Sequence, residues 1–141
     1  MEWALYTAVG LASADEVDSI GIIAALGLAA RRGLVMLHEA GARIGESVVL
    51  LDGSHDWLNP ALASPVRVQT RVKADRDCAS VAGASVVSKV HRDTLMIEAD
   101  SHSPGYGWVD NKGYGSAEHM AAISQLGATD LHRRTWLKVT A

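Results

Sequence analysis

The sequence predicts an α/β protein, with a mixed sheet flanked by helices, and three observations support this class. Residues 48–51 (VVLL) are a run of branched apolar residues, typical of a strand buried on both faces. Residues 66–72 (VRVQTRV) alternate between apolar and polar side chains, as in a half-exposed strand. Helical patterns precede and follow these strands. A chain of 141 residues, of which 48% are hydrophobic and 21% charged, fits a single domain over residues 1–141.

The N-terminal elements are predicted from apolar content and capping signals. Residues 3–12 (WALYTAVGLA) are rich in strand-compatible residues, so we expect a first strand there. Ser13 and Glu16 have capping-box spacing, which predicts a helix from about residue 14 to residue 39, with Gly41 as its stop. The residues at intervals of three or four along this helix are Val17, Ile20, Ala24, Leu28, Arg31 and Val35.

The C-terminal half is predicted to be mainly helical. Residues 79–100 indicate a second helix, whose first half is dense in Ala, Gly and Ser and so suits close packing. Residues 104–115 (PGYGWVDNKGYG) read as a loop with four glycines and three aromatic residues. Ser116 is a suitable N-cap for a last helix over about 117–126, which Gly127 would end.

Composition excludes several classes of protein. No run of about 18 apolar residues exists, so we expect no transmembrane helix and no membrane partner. The first residues include Glu2 and no basic region, which is not the pattern of a signal peptide. Cys78 is the one cysteine, so no internal disulfide is possible; it suits a cytoplasmic protein and a partly buried position.

Charge is divided unevenly between the two halves of the chain. Residues 1–65 hold three basic and eight acidic residues, a net charge of −5, whereas residues 66–141 hold ten basic and eight acidic residues, a net charge of +2. A locally basic half permits binding of a polyanion such as nucleic acid without demonstrating it.

Asp52 directly follows the first of the two predicted strands at 48–51 and 66–72, and Asp75 lies just past the second, after Lys73 and Ala74. In an open α/β sheet, ligands bind outside the carboxyl ends of the strands, so these carboxylates would converge if the strands are neighbours. Two adjacent carboxylates repel, and a hard cation such as Mg²⁺ or Mn²⁺ removes that conflict. The simpler interpretation is that Asp52 starts a turn and Asp75 caps a helix.

Other candidate sites carry weaker signals. The six histidines show no zinc-ligand spacing, and a single cysteine cannot complete a thiolate site. The glycine loop at 104–115 lacks the strand and helix context of a dinucleotide site. Two interpretations of this loop are open: Lys112 and Tyr114 bind a phosphate and stack on a sugar or base, or the tyrosines close the edge of the core.

Several segments taken together resemble the class II ribonucleases H (ribonuclease HII). The matching segments are residues 12–34, 48–53 (VVLLDG), 72–75 (VKAD), 79–96 and 104–136. VVLLDG resembles the strand that carries the family's third acid, and VKAD resembles the fourth acid. The resemblance implies an RNase H-like mixed sheet flanked by helices, N-terminally incomplete and with a C-terminal helical segment.

The resemblance also implies a chemistry. Members of this family cleave the RNA strand of RNA–DNA hybrids and incise duplex DNA at embedded ribonucleotides, leaving 5′-phosphate and 3′-hydroxyl ends. Four carboxylates hold two divalent ions, Mn²⁺ or Mg²⁺. Asp52 and Asp75 would be catalytic metal ligands, Lys73 would place a phosphate, and Tyr114 would pack on the sugar at the RNA–DNA junction. The expected substrate-binding residues are Lys73, Lys112, Gly113, Tyr114 and Arg133, in a protein expected to be monomeric.

The sequence also departs from the family pattern. The family's first two acids lie in an Asp-Glu-Ala-Gly-Arg-Gly motif that does not occur here, and Asp15-Glu16 lacks the Gly-Arg-Gly. Asn111 stands where a His is common. Three interpretations follow: an N-terminally incomplete nuclease, a module that binds hybrid duplex without cutting it, or an inactive remnant. The first is preferred.

Overall fold

The computed structural model describes residues 3–137. The helices are α1 (Ala14–Ile20), α2 (Ile22–Glu39), α3 (Ala74–Asp77), α4 (Ala79–His102), α5 (Trp108–Asn111) and α6 (Ala117–Leu126). The strands are β1 (Val49–Asp52) and β2 (Val68–Arg71), and three short 3₁₀ turns lie at Ile44–Glu46, Asn59–Ala61 and Arg134–Trp136. The predicted α/β class is confirmed. None of the helices in the described part of the chain is long and apolar enough to cross a membrane.

The two strands form a parallel pair in which Val49 faces Val68 and Asp52 faces Arg71. Strand β2 lies within its predicted segment, and β1 extends one residue beyond its segment, to Asp52. Their neighbouring arrangement was the condition for bringing the acidic strand ends together. Because parallel strands point the same way, Asp52 and the residues after Arg71 lie at one edge of the sheet. This edge is the position at which α/β proteins commonly bind ligands.

The predicted first strand over residues 3–12 is wrong, because this segment forms no strand. It runs instead across α2 and α4: Gly10 lies against the backbone at Ala29, and the Trp3 indole covers Gly83. A strand needs a neighbour for its amides and carbonyls, and no backbone hydrogen bond to this segment is formed within residues 3–137. Its one carbonyl partner there is a side chain, since Arg32 donates to the Leu11 carbonyl at 2.8 Å.

The predicted helix over 14–39 is two helices, because the chain bends at Gly21. Gly21 has φ of +84° and both ends α1 and begins α2. Only glycine adopts this conformation without strain, so one residue converts a continuous apolar pattern into a break. Within α2 the buried residues are Ala25, Gly27 and Gly33, whereas Val35, one of the residues at helical spacing, is exposed.

The predicted caps are confirmed. Ser13 Oγ accepts from the Glu16 amide at 3.1 Å, and Glu16 Oε1 accepts from the Ser13 amide at 3.0 Å. Arg32 donates two hydrogen bonds to the same carboxylate and holds the pKa of Glu16 at about 2. Ser116 caps α6 through the His119 amide at 3.2 Å, and Gly127 ends that helix with φ of +82°.

Candidate functional site

Asp52 ends β1 with its carboxylate at the edge of the sheet. Its Oδ1 accepts a hydrogen bond from the Ala74 amide at 3.0 Å, which ties the end of β1 to the first turn of α3. The next residue, Gly53, has φ of +114° and donates to the Arg71 carbonyl at 3.0 Å, closing the ladder. Asp52 is therefore oriented by the backbone, and the simple turn interpretation accounts for Gly53 but not for this contact.

Asp75 lies in the first turn of α3, directly after Ala74, whose amide donates to Asp52. The residue before the helix, Lys73, is exposed and has a left-handed backbone with φ of +58°. Asp77 in the same helix forms ion pairs with Arg71 and Arg76, at 3.3 and 3.4 Å. Neither Asp52 nor Asp75 has an ion-pair partner within residues 3–137.

The oxygen chemistry of this pair fits a hard divalent cation, since carboxylates without a basic partner are the ligands that Mg²⁺ and Mn²⁺ prefer. The number of ligands does not complete a site. In the described residues, no three side chains of His, Cys, Asp or Glu lie close enough together to hold a metal ion. The strand edge thus presents two carboxylates of a metal site that needs further ligands.

A second group of candidate residues surrounds the end of the 104–115 loop. Lys112 and Gly113 both have positive φ, and Arg92 of α4 donates to the Lys112 carbonyl at 2.6 Å. The Arg92 guanidinium also lies over the Tyr114 ring, 5.4 Å from its centroid. A Cβ on Gly113 would lie 3.1 Å from Met96 and 3.2 Å from Arg92, so this loop sits tightly on α4.

The two tyrosines of this loop differ in exposure. Tyr106 is 6% exposed and stacks on Trp108 at a centroid distance of 4.9 Å, so it closes the core. Tyr114 is 61% exposed, with its ring available for stacking. The Lys112 ammonium donates to the carbonyl of Val109 in its own loop. The predicted loop is otherwise interrupted by the short helix α5.

Arg133 belongs to a C-terminal segment that α1 holds in place. Its guanidinium lies over Trp136, 4.5 Å from the ring centroid. Asp18 accepts from the Arg134 amide at 2.8 Å, and from the amide and hydroxyl of Thr135 at 3.1 and 2.6 Å. The Thr135 hydroxyl, helped by the two amides, holds the pKa of Asp18 below its usual range.

Tyr114 and Arg133 line one groove of about 480 Å³, together with Arg92 and Trp136. The structure thus brings the predicted residues together as two groups. Asp52, Lys73 and Asp75 lie at the strand edge, and Lys112, Gly113, Tyr114 and Arg133 surround or border the groove. No hydrogen bond or ion pair joins these two groups within the described chain.

Sequence reasoning missed a buried pair of histidines that line the floor of this groove. His119 and His132 are 4% and 7% exposed, and their Nε2 atoms lie 3.1 Å apart. Trp108 Nε1 donates to His119 at 3.3 Å. Trp108 lies on α5, His119 on α6 and His132 in the turn after Gly127, so no regular spacing along the sequence predicts their contact. Asp18 and Trp136 were likewise not predicted as parts of a site.

Comparisons with known proteins identify relatives of this chain. A family model described as ribonuclease HII matches residues 7–139. Curated ribonuclease HII proteins from Streptomyces avermitilis and Streptomyces coelicolor are 40% and 41% identical over 140 and 139 residues, which is 99% of this chain and 56% of each relative. A ribonuclease HII from Thermus thermophilus is 41% identical over 138 residues, 98% of this chain and 63% of that protein.

The chain therefore spans a little over half the length of these relatives. The match covers both groups of candidate residues, from the strand edge to the groove, and agrees with the predicted RNase H-like class. This chain belongs to the ribonuclease HII family.

Proposed function

We propose that this chain is the carboxylate edge and substrate groove of an endonuclease that cleaves the RNA strand of RNA–DNA hybrids and incises duplex DNA at embedded ribonucleotides. One observation carries the proposal. The Asp52 carboxylate is fixed against the turn that bears Asp75, and among residues 3–137 neither acid has a basic partner, whereas the neighbouring Asp77 has two. Uncompensated acids at a strand edge suit a cation better than they suit a structural turn.

Asp52 and Asp75 are proposed as the third and fourth acids of the family's four. The Ala74 amide donates to Asp52 Oδ1 and thereby orients the carboxylate, and Oδ2 is proposed as the oxygen that binds the cation. A bound Mg²⁺ or Mn²⁺ would supply activation of water and stabilisation of the leaving 3′-oxygen, giving 5′-phosphate and 3′-hydroxyl ends. The first two acids are absent from this sequence, so two carboxylates alone are not expected to support cleavage.

The groove is proposed to hold the duplex. Tyr114 offers an exposed ring for the sugar at the RNA–DNA junction, and Arg133 and Arg92 offer charge for phosphates. Lys73 stands exposed beside the acids, where it suits a phosphate next to the scissile bond. Lys112 and Gly113 contribute mainly by shaping the loop, since the Lys112 ammonium is bound to its own loop.

The proposed setting is a cytoplasmic, monomeric protein acting in ribonucleotide excision during DNA replication and repair. Two other functions use the same groove differently. A module that binds hybrid duplex without cutting it would need the groove and not the acids. An inactive remnant would need neither, and would not discriminate between duplexes.

Binding and cleavage by the 141-residue chain test the proposal. The chain is titrated into an RNA–DNA hybrid, a DNA duplex with one ribonucleotide, and the matching DNA duplex, with Mn²⁺ or Mg²⁺ present. We expect tighter binding to the first two, an affinity that falls with salt, and no cleavage. Equal binding to all three duplexes would contradict the proposal.

Asp52→Asn separates the acids from the groove. The amide side chain retains an oxygen for the Ala74 amide and loses the charge, so the fold is preserved. We expect Mn²⁺ binding, followed by electron paramagnetic resonance, to be lost in Asp52→Asn and kept in the matched variant Asp77→Asn, whose acid is already ion-paired. Equal Mn²⁺ binding by all three proteins would show that Asp52 is not a ligand. Cleavage that is lost only in Asp52→Asn would show that two acids suffice.

A further inference from the structure

The buried histidine His119 makes a hydrogen bond to the backbone of Tyr114. Its Nδ1 lies 2.8 Å from the Tyr114 carbonyl oxygen. A carbonyl only accepts, so Nδ1 carries the proton. On the other side of the ring, the indole of Trp108 donates to Nε2 at 3.3 Å, so Nε2 must present its lone pair. Both contacts assign the same tautomer, with Nδ1 protonated.

His132 completes this arrangement from the other direction. The Thr129 amide donates to its Nδ1 at 2.8 Å, so the proton of the neutral ring is on Nε2. That Nε2–H points at the Nε2 lone pair of His119, 3.1 Å away. In one neutral arrangement every ring nitrogen has a partner, with the His119 Nε2 lone pair shared between the Trp108 and His132 donors. Burial lowers the pKa of His132 and so favours its neutral form.

The Tyr114 carbonyl is thereby held from inside the protein. It accepts from His119 and also from the Ser116 amide at 2.8 Å. Ser116 in turn caps the helix through the His119 amide, so His119 binds both ends of this turn. The ring projects outward under Arg92. The backbone of Tyr114 is thus held by His119 and Ser116, whereas its ring is covered by Arg92.

We propose that His119, oriented by His132, is a positioning residue that sets the Tyr114 ring at the angle needed to select the RNA–DNA junction. This inference rests on the proposed function, because it assumes that Tyr114 touches the duplex. His119 lines the floor of the groove but is only 4% exposed, so we assign its effect to the position of Tyr114 and not to contact with the duplex. Its effect is expected on discrimination between duplexes, with little effect on general affinity.

The first test uses the unaltered chain and needs no substrate. Two-bond ¹H–¹⁵N NMR spectra distinguish the two neutral imidazole tautomers. We expect His119 with its proton on Nδ1 and His132 with its proton on Nε2. If His119 instead carries its proton on Nε2, it cannot donate to the Tyr114 carbonyl and the inference is overturned.

The second test uses a matched pair of substitutions at one position. In His119→Asn the side-chain amide takes the place of Nδ1 and still donates to Tyr114. In His119→Gln the polar group takes the place of Nε2, which keeps the Trp108 contact and loses the donor. With 3-fluorotyrosine labelling, the Tyr114 ¹⁹F resonance is expected to stay in place in the Asn variant and to shift in the Gln variant. The Tyr114 ¹⁹F resonance is assigned as the one that is missing from the spectrum of Tyr114→Phe.

Duplex discrimination is then measured on the same proteins. The ratio of affinities for the ribonucleotide-containing and all-DNA duplexes should be kept in His119→Asn and fall several-fold, roughly to that of Tyr114→Ala, in His119→Gln. Equal ratios in the two variants, with the Tyr114 resonance unmoved in both, would overturn the inference. If the unaltered chain does not discriminate, the proposed function fails, while the tautomers and the ¹⁹F shifts still decide whether His119 positions Tyr114.

Discussion

The carboxylate of Asp18 accepts hydrogen bonds from both the amide and the hydroxyl of Thr135, at 3.1 and 2.6 Å, although the two residues are 117 positions apart in the chain. The Arg134 amide donates to the same carboxylate at 2.8 Å. Through these bonds, helix α1 holds the segment that carries Arg133 and Trp136. One wall of the proposed groove therefore depends on an acid near the opposite end of the sequence.

Asp18→Ala should loosen this wall, because it removes all three acceptor contacts. We expect trypsin to cut after Arg133 or Arg134 several-fold faster, roughly in proportion to the population of the opened segment, and duplex affinity to fall. Asp130→Ala is the matched control, since it removes an equal charge that pairs with Arg134 at 3.6 Å while 99% exposed. Equal cutting rates in the two variants would contradict the role of Asp18.

The buried imidazole of His132 should make stability depend on pH. Burial, with His119 and then Arg134 acting in the same direction, holds the pKa of His132 below its usual range. The unfolded chain then binds the proton more readily, so the free energy of unfolding decreases as pH falls below the unfolded value of about 6.5. We expect the unfolding midpoint in urea to be constant above pH ~7 and to decline from there to pH ~5.

His132→Asn provides the comparison for this pH dependence. Its side-chain oxygen replaces Nδ1 as acceptor for the Thr129 amide, and the residue cannot take up a proton. The decline between pH ~7 and ~5 should be smaller in this variant. The pKa values of Glu16 and Asp18 are lowered in the folded chain, so their protonation reduces the free energy of unfolding only as pH falls below about 4. An unchanged decline in His132→Asn would place the effect elsewhere.

Gly10→Ala should be strongly destabilising. A Cβ at this position would lie 1.8 Å from the Ala29 carbonyl oxygen and 2.6 Å from the Gly33 amide nitrogen, and neither backbone group can move without displacing α2. Overpacking of this kind costs about 1–3 kcal/mol or more. Gly45→Ala is the control, because nothing lies within 4 Å of its added methyl group. Similar urea midpoints for both variants would show that residues 3–12 do not pack on α2 as described.

Arg92→Ala should reduce duplex discrimination by removing the outer support of the loop. The substitution deletes the bond to the Lys112 carbonyl and the cation above Tyr114. A cation–π contact at an exposed site contributes about 0.5–1 kcal/mol, so we expect a roughly two- to five-fold loss. Lys89→Ala on the same helix removes an equal charge paired with Asp93. A loss of the same size in Lys89→Ala would indicate a general effect of charge.

Local signals in the sequence predicted local structure well. The capping pairs at Ser13 and Ser116 were confirmed because both donor and acceptor lie within one turn of helix. Strands β1 and β2 were recognised from side-chain alternation and branching. The errors came where local pattern was not enough: residues 3–12 have strand composition but no strand beside them, and Gly21 breaks a continuous apolar repeat.

By itself, the sequence determined the α/β class, the helix caps and the family, because each is written in contiguous residues. Only the tertiary structure decided which side chains meet. The contact of Asp52 with the Ala74 amide joins residues 22 positions apart, and the His119–His132 contact joins residues 13 positions apart. The contact of Asp18 with Thr135 spans 117 positions. Such contacts depend on how packed elements are oriented, and orientation is a property of the whole core.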